Sequence, residues 1–232
     1  MKYSREIRST VLLLFCIGIL CYSLFGLNGK EYYFVSLAII LSGIIMFLFR
    51  FENRKPSVAE LTILAVMCSI AIASRVSFYM LPQIKPMAAI VIITGISLGA
   101  ESGFIIGALT AFVSNFYFGQ GPWTPFQMFA LGIVGFFAGL VFQKIPVNKI
   151  SISIYGLLST VILYGGIVDI NTVFFWAGDN TWDSILAVYG AGLGFNLIYG
   201  ISTMIFLVLL EKPILSKLTR VKIKYGLIDG KT

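Results

Sequence analysis

Eight apolar runs separated by short polar breaks take up most of the 232 residues, at 10–25, 32–49, 59–80, 87–98, 101–118, 125–142, 150–168 and 185–210. Crossing a bilayer takes roughly 20 mostly apolar residues in a helix. Backbone polar groups inside lipid must be satisfied internally, which leaves only helices or a closed barrel. No run alternates with period two over the length of a barrel strand. The chain is therefore expected to be an all-α integral membrane protein of about eight transmembrane helices. The fourth run, 87–98, is short, so its limits are the least sharply drawn.

Composition agrees: 58% of residues are hydrophobic and only 12% charged, about half the charge of a soluble domain. A water-soluble enzyme, a disulfide scaffold and a disordered chain are excluded. The net charge of +7 is explained by membrane topology rather than by nucleic acid. With the N-terminus in the cytoplasm, only Lys30, Arg75 and Lys85 of the 17 Lys and Arg fall outside, and the reverse orientation inverts that balance. Both termini are thus expected in the cytoplasm, in the cell membrane. Cys16, Cys21 and Cys68 sit inside apolar runs without paired metal-ligand spacing and read as packed thiols. With no His anywhere, the commonest acid–base group and transition-metal ligand is missing. The basic start before 10–25 resembles a signal peptide, but no convincing small-x-small cleavage pattern follows, and the run is read as a retained helix.

The segment 50–57 is charged and contains Pro56, as a linker would. Ser57 and Glu60 then have the spacing of a capping box opening the third helix. The chain divides there into a two-helix membrane appendage with linker, 1–56, and a six-helix core with a basic tail, 57–232.

The unusual polar residues lie at the outer ends of the core. The first outer loop holds Arg75, Gln83 and Lys85 among Pro82 and Pro86. A charge near the membrane boundary faces a partner or cavity or snorkels to the interface, and both readings stay open for Arg75 and Lys85. The second outer loop, 115–127, supplies Asn115, Gln120, Trp123, Thr124 and Gln127 on a backbone bent by Gly119, Gly121, Pro122 and Pro125. Such a mixture suits an amphipathic ligand, with an interfacial aromatic belt as the competing reading. Phe116 and Phe118 are assigned to that belt. Asp169, Asn171, Trp176, Asp179, Asn180, Trp182 and Asp183 read as a third outer loop, either a binding lid or a solvated acidic loop. Asn196 lies deeper, among Gly190, Gly192 and Gly194, which read as packing residues.

Elsewhere small residues recur every four positions. Gly95, Gly99, Gly103 and Gly107, then Gly135 and Gly139, read as close-packing faces. Ala65, Ser69 and Ala73 form a stripe on the third helix that would pack inside the bundle or dock a partner helix. No Walker-type nucleotide loop, nucleophile elbow or zinc-protease motif is present. Binding is better supported than catalysis, and no cofactor or metal is called for.

In the segments 75–86, 95–107 and 118–125 the chain resembles the substrate-binding S components of energy-coupling factor (ECF) transporters, over about 57–217. The resemblance implies a six-helix subunit that captures a vitamin or similar micronutrient outside the membrane. It further implies a transmembrane T component and two ATPase subunits as partners, and a loaded subunit that topples in the membrane to release ligand inside. The stripe Ala65, Ser69, Ala73 would match the family's A-x-x-x-A docking face, with Ser69 in place of the second alanine. Metal-specific relatives carry a His-bearing N-terminus, so nickel or cobalt ions are not expected. Gly119, Gln120, Gly121, Pro122, Trp123, Thr124 and Pro125 look most like the loop of S components linked to cobalamin uptake, for which Gln83, Gln120, Gln127 and Asn171 would line a wide mouth. Riboflavin, folate, thiamine, pyridoxine or a queuosine precursor are the alternative ligands. An independent permease, which would show a midplane polar path or an internal repeat, and a membrane enzyme, which would cluster carboxylates at one face, are the competing classes.

Overall fold

The computed structural model describes residues 31–53, 55–176 and 181–227. Its regular elements are helical: α1 Glu31–Asn53, α2 Val58–Ser77, α3 Met87–Leu98, α4 Ala100–Phe118, α5 Thr124–Val141, α6 Lys149–Leu158, a π-helical stretch Ser159–Gly165, α7 Gly166–Trp176 and α8 Trp182–Lys224. α6, the π stretch and α7 follow without a break. Val58–Ser77, Thr124–Val141, Lys149–Phe175 and Trp182–Lys224 are long and apolar enough to cross a membrane. The all-α membrane fold expected from the sequence is what the chain adopts. The run 10–25 lies outside the described residues.

Local chemistry sets the boundaries. The Ser57 hydroxyl accepts the backbone N–H of Glu60 at 3.1 Å and opens α2, and the Glu60 carboxylate accepts from Ser102 of α4 at 3.1 Å. Gly99, at φ 99°, turns the chain between α3 and α4 in a single residue, a conformation that glycine adopts at little cost. Pro125 stands in the first turn of α5, where its missing N–H costs nothing.

α3, α4 and α5 form the centre. A Cβ on Gly95 or Gly103 would fall onto the carbonyl oxygen of Gly135, and one on Gly107 onto that of Leu131. Gly139 meets the backbone of Ala100 in the same way. The four-residue glycine spacing is therefore a seam of backbone-to-backbone contact, apart from Gly99, whose place is the turn. α1 closes one side of this centre. Phe47 stacks on Phe104 with ring centroids 3.9 Å apart and meets Phe136 edge-on at 5.1 Å.

Two boundaries depart from the sequence reading. The helical path expected to end near residue 168 continues through Asp169, Asn171 and Trp176, and the last helix begins at Trp182 and runs to Lys224. Asp169 is 8% exposed and accepts a hydrogen bond from Asn196 of α8 at 2.8 Å. Its polarity is thus spent between helices rather than in a loop. Asp183 lies in the first turn of α8, whose N-cap Thr181 accepts from Ser184 N–H at 3.3 Å. Asp179 and Asn180 lie outside the described residues. Of the α8 glycines, Gly192 packs on the Asp169 carboxylate, whereas Gly190 and Gly194 face open space, so these two are not packing residues within the described chain.

Candidate functional site

Arg75 occupies the last turn of α2 and is 8% exposed. Its Nη1 donates to the Ser114 hydroxyl and to Asn115 Oδ1 at 2.8 Å, and its guanidinium lies 4.4 Å from the centroid of the Phe118 ring. Asn115 passes the network on, donating through Nδ2 to Thr124 Oγ1 at 3.2 Å and to Gln127 Oε1 at 2.9 Å. Thr124 Oγ1 donates to Gln120 Oε1 at 2.9 Å and accepts from Gly121 N–H at 3.2 Å. Gln120 Nε2 donates to the carbonyl of Phe112 at 2.9 Å. The sequence-picked residues Arg75, Asn115, Gln120, Thr124 and Gln127 thus form one continuous chain of hydrogen bonds joining α2, α4 and α5. Trp123 caps α5 with its indole packed over Gly121, where a Cβ would strike the ring.

The loop between α2 and α3 closes over this corner. Lys85 N–H donates to Ser202 Oγ of α8 at 3.0 Å, and the Lys85 ammonium lies 5.7 Å from the same Phe118 ring. Burial, and then the like charge of Arg75, hold the Lys85 ammonium below its ordinary pKa. Gln83 is half-buried in this loop and adopts a left-handed φ of 59°, uncommon for a residue with a Cβ. Phe118 is therefore not a belt residue: it is the surface on which two cations converge. Phe116, 70% exposed, fits the belt.

α8 and the π stretch supply the far wall. Tyr164 and Tyr199 meet edge to face at 5.1 Å, and Tyr199 lies one turn before Ser202, which holds the Lys85 backbone. Tyr164 lies in the π stretch, a form that recurs at functional sites. Asn171 is buried and lies seven residues beyond Tyr164, about 10 Å along an α-helical path. Asn196 does not join the Arg75 network, because it is taken up by Asp169. Trp176 ends α7. Buried side-chain polar atoms normally find partners. Among the described residues the buried exceptions are Arg75 Nε, Asn171 Oδ1, Tyr199 Oη and Glu211 Oε2. Ser114, Phe118, Tyr164, Tyr199 and Ser202 escape the sequence reading as site residues, since each is an ordinary member of an apolar run whose partner is distant.

The opposite end of the bundle is built differently. An apolar groove of about 670 Å³ runs between the start of α2 and the last turns of α8, lined by Thr62, Val66, Ile70 and Leu218 with Lys217 and Lys224 among its walls. Beside it Ala65, Ser69 and Ala73 are all exposed on α2, so the small-residue stripe does not pack inside the described chain. Cys68, by contrast, is buried with Sγ 3.6 Å from Thr110 Oγ1.

Residues 55–216, well over half of the chain, match the family model described as ECF-type riboflavin transporter, S component. No curated protein and no solved structure matches significantly. S components are membrane subunits that bind a small-molecule substrate and work with a T component and ATPases; they are transporter subunits, not a family of enzymes. The chain belongs to the ECF-type riboflavin transporter S-component family, as a multi-pass membrane protein and the substrate-binding subunit of an ECF vitamin transporter.

Proposed function

We propose that this subunit captures a flavin of the riboflavin class at the Arg75 end of the bundle. The observation that carries the reading is the buried, unpartnered Arg75 Nε at the head of a network that is otherwise satisfied, with Tyr199 Oη on α8 and Asn171 Oδ1 on α7 also buried and unpartnered. Polar atoms left unpaired in a buried place are costly, and a ligand that pairs them recovers that cost. The aromatic surfaces of Phe118, Tyr164, Tyr199 and Trp123 suit a planar ring system, and Gln83, Lys85 and Ser202 stand where the loop over the site would close.

Gln120 and Gln127 give an amide-lined mouth for a corrinoid little support, since the Gln120 amide is bonded to Phe112 and Thr124 and the Gln127 carbonyl to Asn115. In the flavin reading, Asn115, Gln120, Thr124 and Gln127 brace Arg75 from behind, and Trp123 holds the turn. Asn196 positions α7 against α8 through Asp169.

The exposed stripe Ala65, Ser69, Ala73 is the proposed docking face for the T component. Small side chains there would let a partner helix approach closely. The distribution of Lys and Arg supports an external Arg75 end and cytoplasmic termini. The division into an appendage, 1–56, and a core, 57–232, is supported by a family match that starts at residue 55. The appendage's helix α1 nonetheless packs on the core through Phe47.

The test is to purify the chain in detergent and identify any co-purified small molecule by mass spectrometry and visible absorbance. A flavin at about one per chain supports the reading. A corrinoid would replace the ligand and keep the subunit's role. An empty chain that also fails to bind a vitamin panel would overturn the binding site.

A further inference from the structure

The two cations at the Phe118 ring have no counter-charge among the described residues. Every polar contact made there by Arg75 and Lys85 is to a neutral group: the Ser114 hydroxyl, the Asn115 amide, the Ser202 hydroxyl and the ring itself. Asp169, an acid that the sequence reading places in an outer loop, is instead buried and held by Asn196. Buried charges are ordinarily paired, and one inside a membrane helix marks a substrate pathway or a partner. Arg75 uses only Nη1 for its protein hydrogen bonds, and Nε is buried without a partner. The edge formed by Nε and Nη2 is the one that grips a carboxylate or phosphate with two parallel hydrogen bonds. Asn115 and Ser114 fix the opposite corner of the guanidinium, so this edge is oriented before anything binds. Lys85, tied to α8 through its backbone, brings a second positive charge to the same ring.

We propose that Arg75 and Lys85 form an anion subsite, and that the molecule this subunit captures carries a phosphate or carboxylate seated on the free edge of Arg75. The proposal rests on the reading of the Arg75 end as the ligand site and narrows the ligand class. Within the flavins, it favours one esterified with phosphate on its sugar-alcohol tail over the neutral vitamin. The apolar ring system would then lie against the tyrosines, with the charged tail at Arg75. An anionic lipid headgroup shares this chemistry, and the experiment separates it from a soluble ligand.

The experiment titrates the full chain, in nanodiscs of neutral phosphatidylcholine, with matched unphosphorylated and phosphorylated ligands: riboflavin and its 5′-phosphate, pyridoxine and pyridoxine 5′-phosphate, thiamine and thiamine monophosphate. Wild type is compared with Arg75→Gln and with Lys85→Gln. A charge-assisted hydrogen bond is worth about tenfold or more in affinity. The phosphorylated flavin is therefore expected to bind about tenfold tighter than riboflavin to wild type, and that ratio to collapse toward one in Arg75→Gln. The milder loop variant, Lys85→Gln, should lower the ratio by a smaller factor, and it serves if Arg75→Gln fails to fold. A flavin pair that binds with equal affinities overturns the anion subsite while leaving the flavin reading intact. No flavin binding, but a charge preference in another pair that Arg75 controls, overturns the flavin reading and keeps the subsite. No preference in any pair overturns the subsite. Repeating the titration in phosphatidylglycerol nanodiscs distinguishes the sources. If native mass spectrometry finds phosphatidylglycerol retained by wild type and not by the variants, and no soluble ester is preferred, a lipid holds the two cations and the proposal fails.

Discussion

The seam between α3, α4 and α5 and the stripe on α2 share one sequence signature, small residues every four positions, and come to opposite ends. At the seam, Gly95, Gly103 and Gly135 put backbone against backbone with no room for a Cβ. On α2, Ala65, Ser69 and Ala73 are exposed, and the Ser69 hydroxyl turns back to the Ala65 carbonyl at 2.9 Å. Thr62, about two turns earlier, likewise spends its hydroxyl on its own helix, at the Val58 carbonyl 2.9 Å away. The stripe thus offers a partner small size rather than free hydroxyls. A third outcome lies on α8, where Gly190 and Gly194 meet no other described residue. Close helix contact in a membrane depends on small residues, but the spacing does not say whether the partner helix belongs to the same chain. The seam is spent inside the fold, whereas the stripe stays exposed among the described residues.

The largest effect expected from this comparison is at the seam. Gly103→Val would push a branched side chain into the Gly135 carbonyl and should cost about 3 kcal/mol or more. It should be read as lost monodisperse protein in detergent and a lowered unfolding temperature. A variant that purified normally would break the distinction between seam and stripe. Next comes the stripe: Ala65→Leu and Ala73→Leu should leave unfolding temperature and ligand affinity unchanged, while ATP-driven uptake by the assembled transporter falls at least about tenfold, the equivalent of ~1.4 kcal/mol. Equal loss of binding and uptake would count against a docking face.

Asn115→Ala probes the end that the seam supports. It removes the acceptor of Arg75 and the donor to Thr124 and Gln127. It should destabilise the chain by about 1–3 kcal/mol and weaken ligand binding, measurable together as the shift in unfolding temperature with and without ligand. The smallest effect is on α8. Gly190→Ala and Gly194→Ala fill open space and remove backbone freedom, so the isolated chain should be unchanged or stabilised by about 0.5 kcal/mol. A marked loss in the isolated chain would show that these glycines pack after all.

Much of the fold is legible because glycine and proline punctuate it. The 87–98 run coincides with α3, flanked by Pro86 and Gly99, and the starts of α4 and α5 fall within one residue of the apolar runs. Legibility fails where polar residues sit inside helices. Asp169 and Asn171 suggest a loop, because nothing in the local sequence tells that Asn196, 27 residues on, accommodates the carboxylate. The proposed site is half visible. Arg75, Asn115, Gln120, Thr124 and Gln127 announce themselves as polar groups near Gly and Pro, whereas Ser114, Tyr164, Tyr199 and Ser202 look like routine members of apolar helices. Their importance comes from tertiary neighbours, which periodicity does not encode. For the same reason the glycine pattern alone does not tell the seam, where it meets backbone, from Gly190 and Gly194, which meet no other described residue.

As an S component, this chain is expected to bind its substrate alone and to move it only with partners. The direct measurement is uptake of radiolabelled riboflavin into proteoliposomes, with the purified chain reconstituted alone or together with its T component and ATPases, each with and without ATP. The expected result is saturable binding, near one ligand per chain, by the chain alone, with accumulation inside the vesicles only when partners and ATP are present. ATP-independent accumulation by the chain alone would contradict it and make the protein a permease.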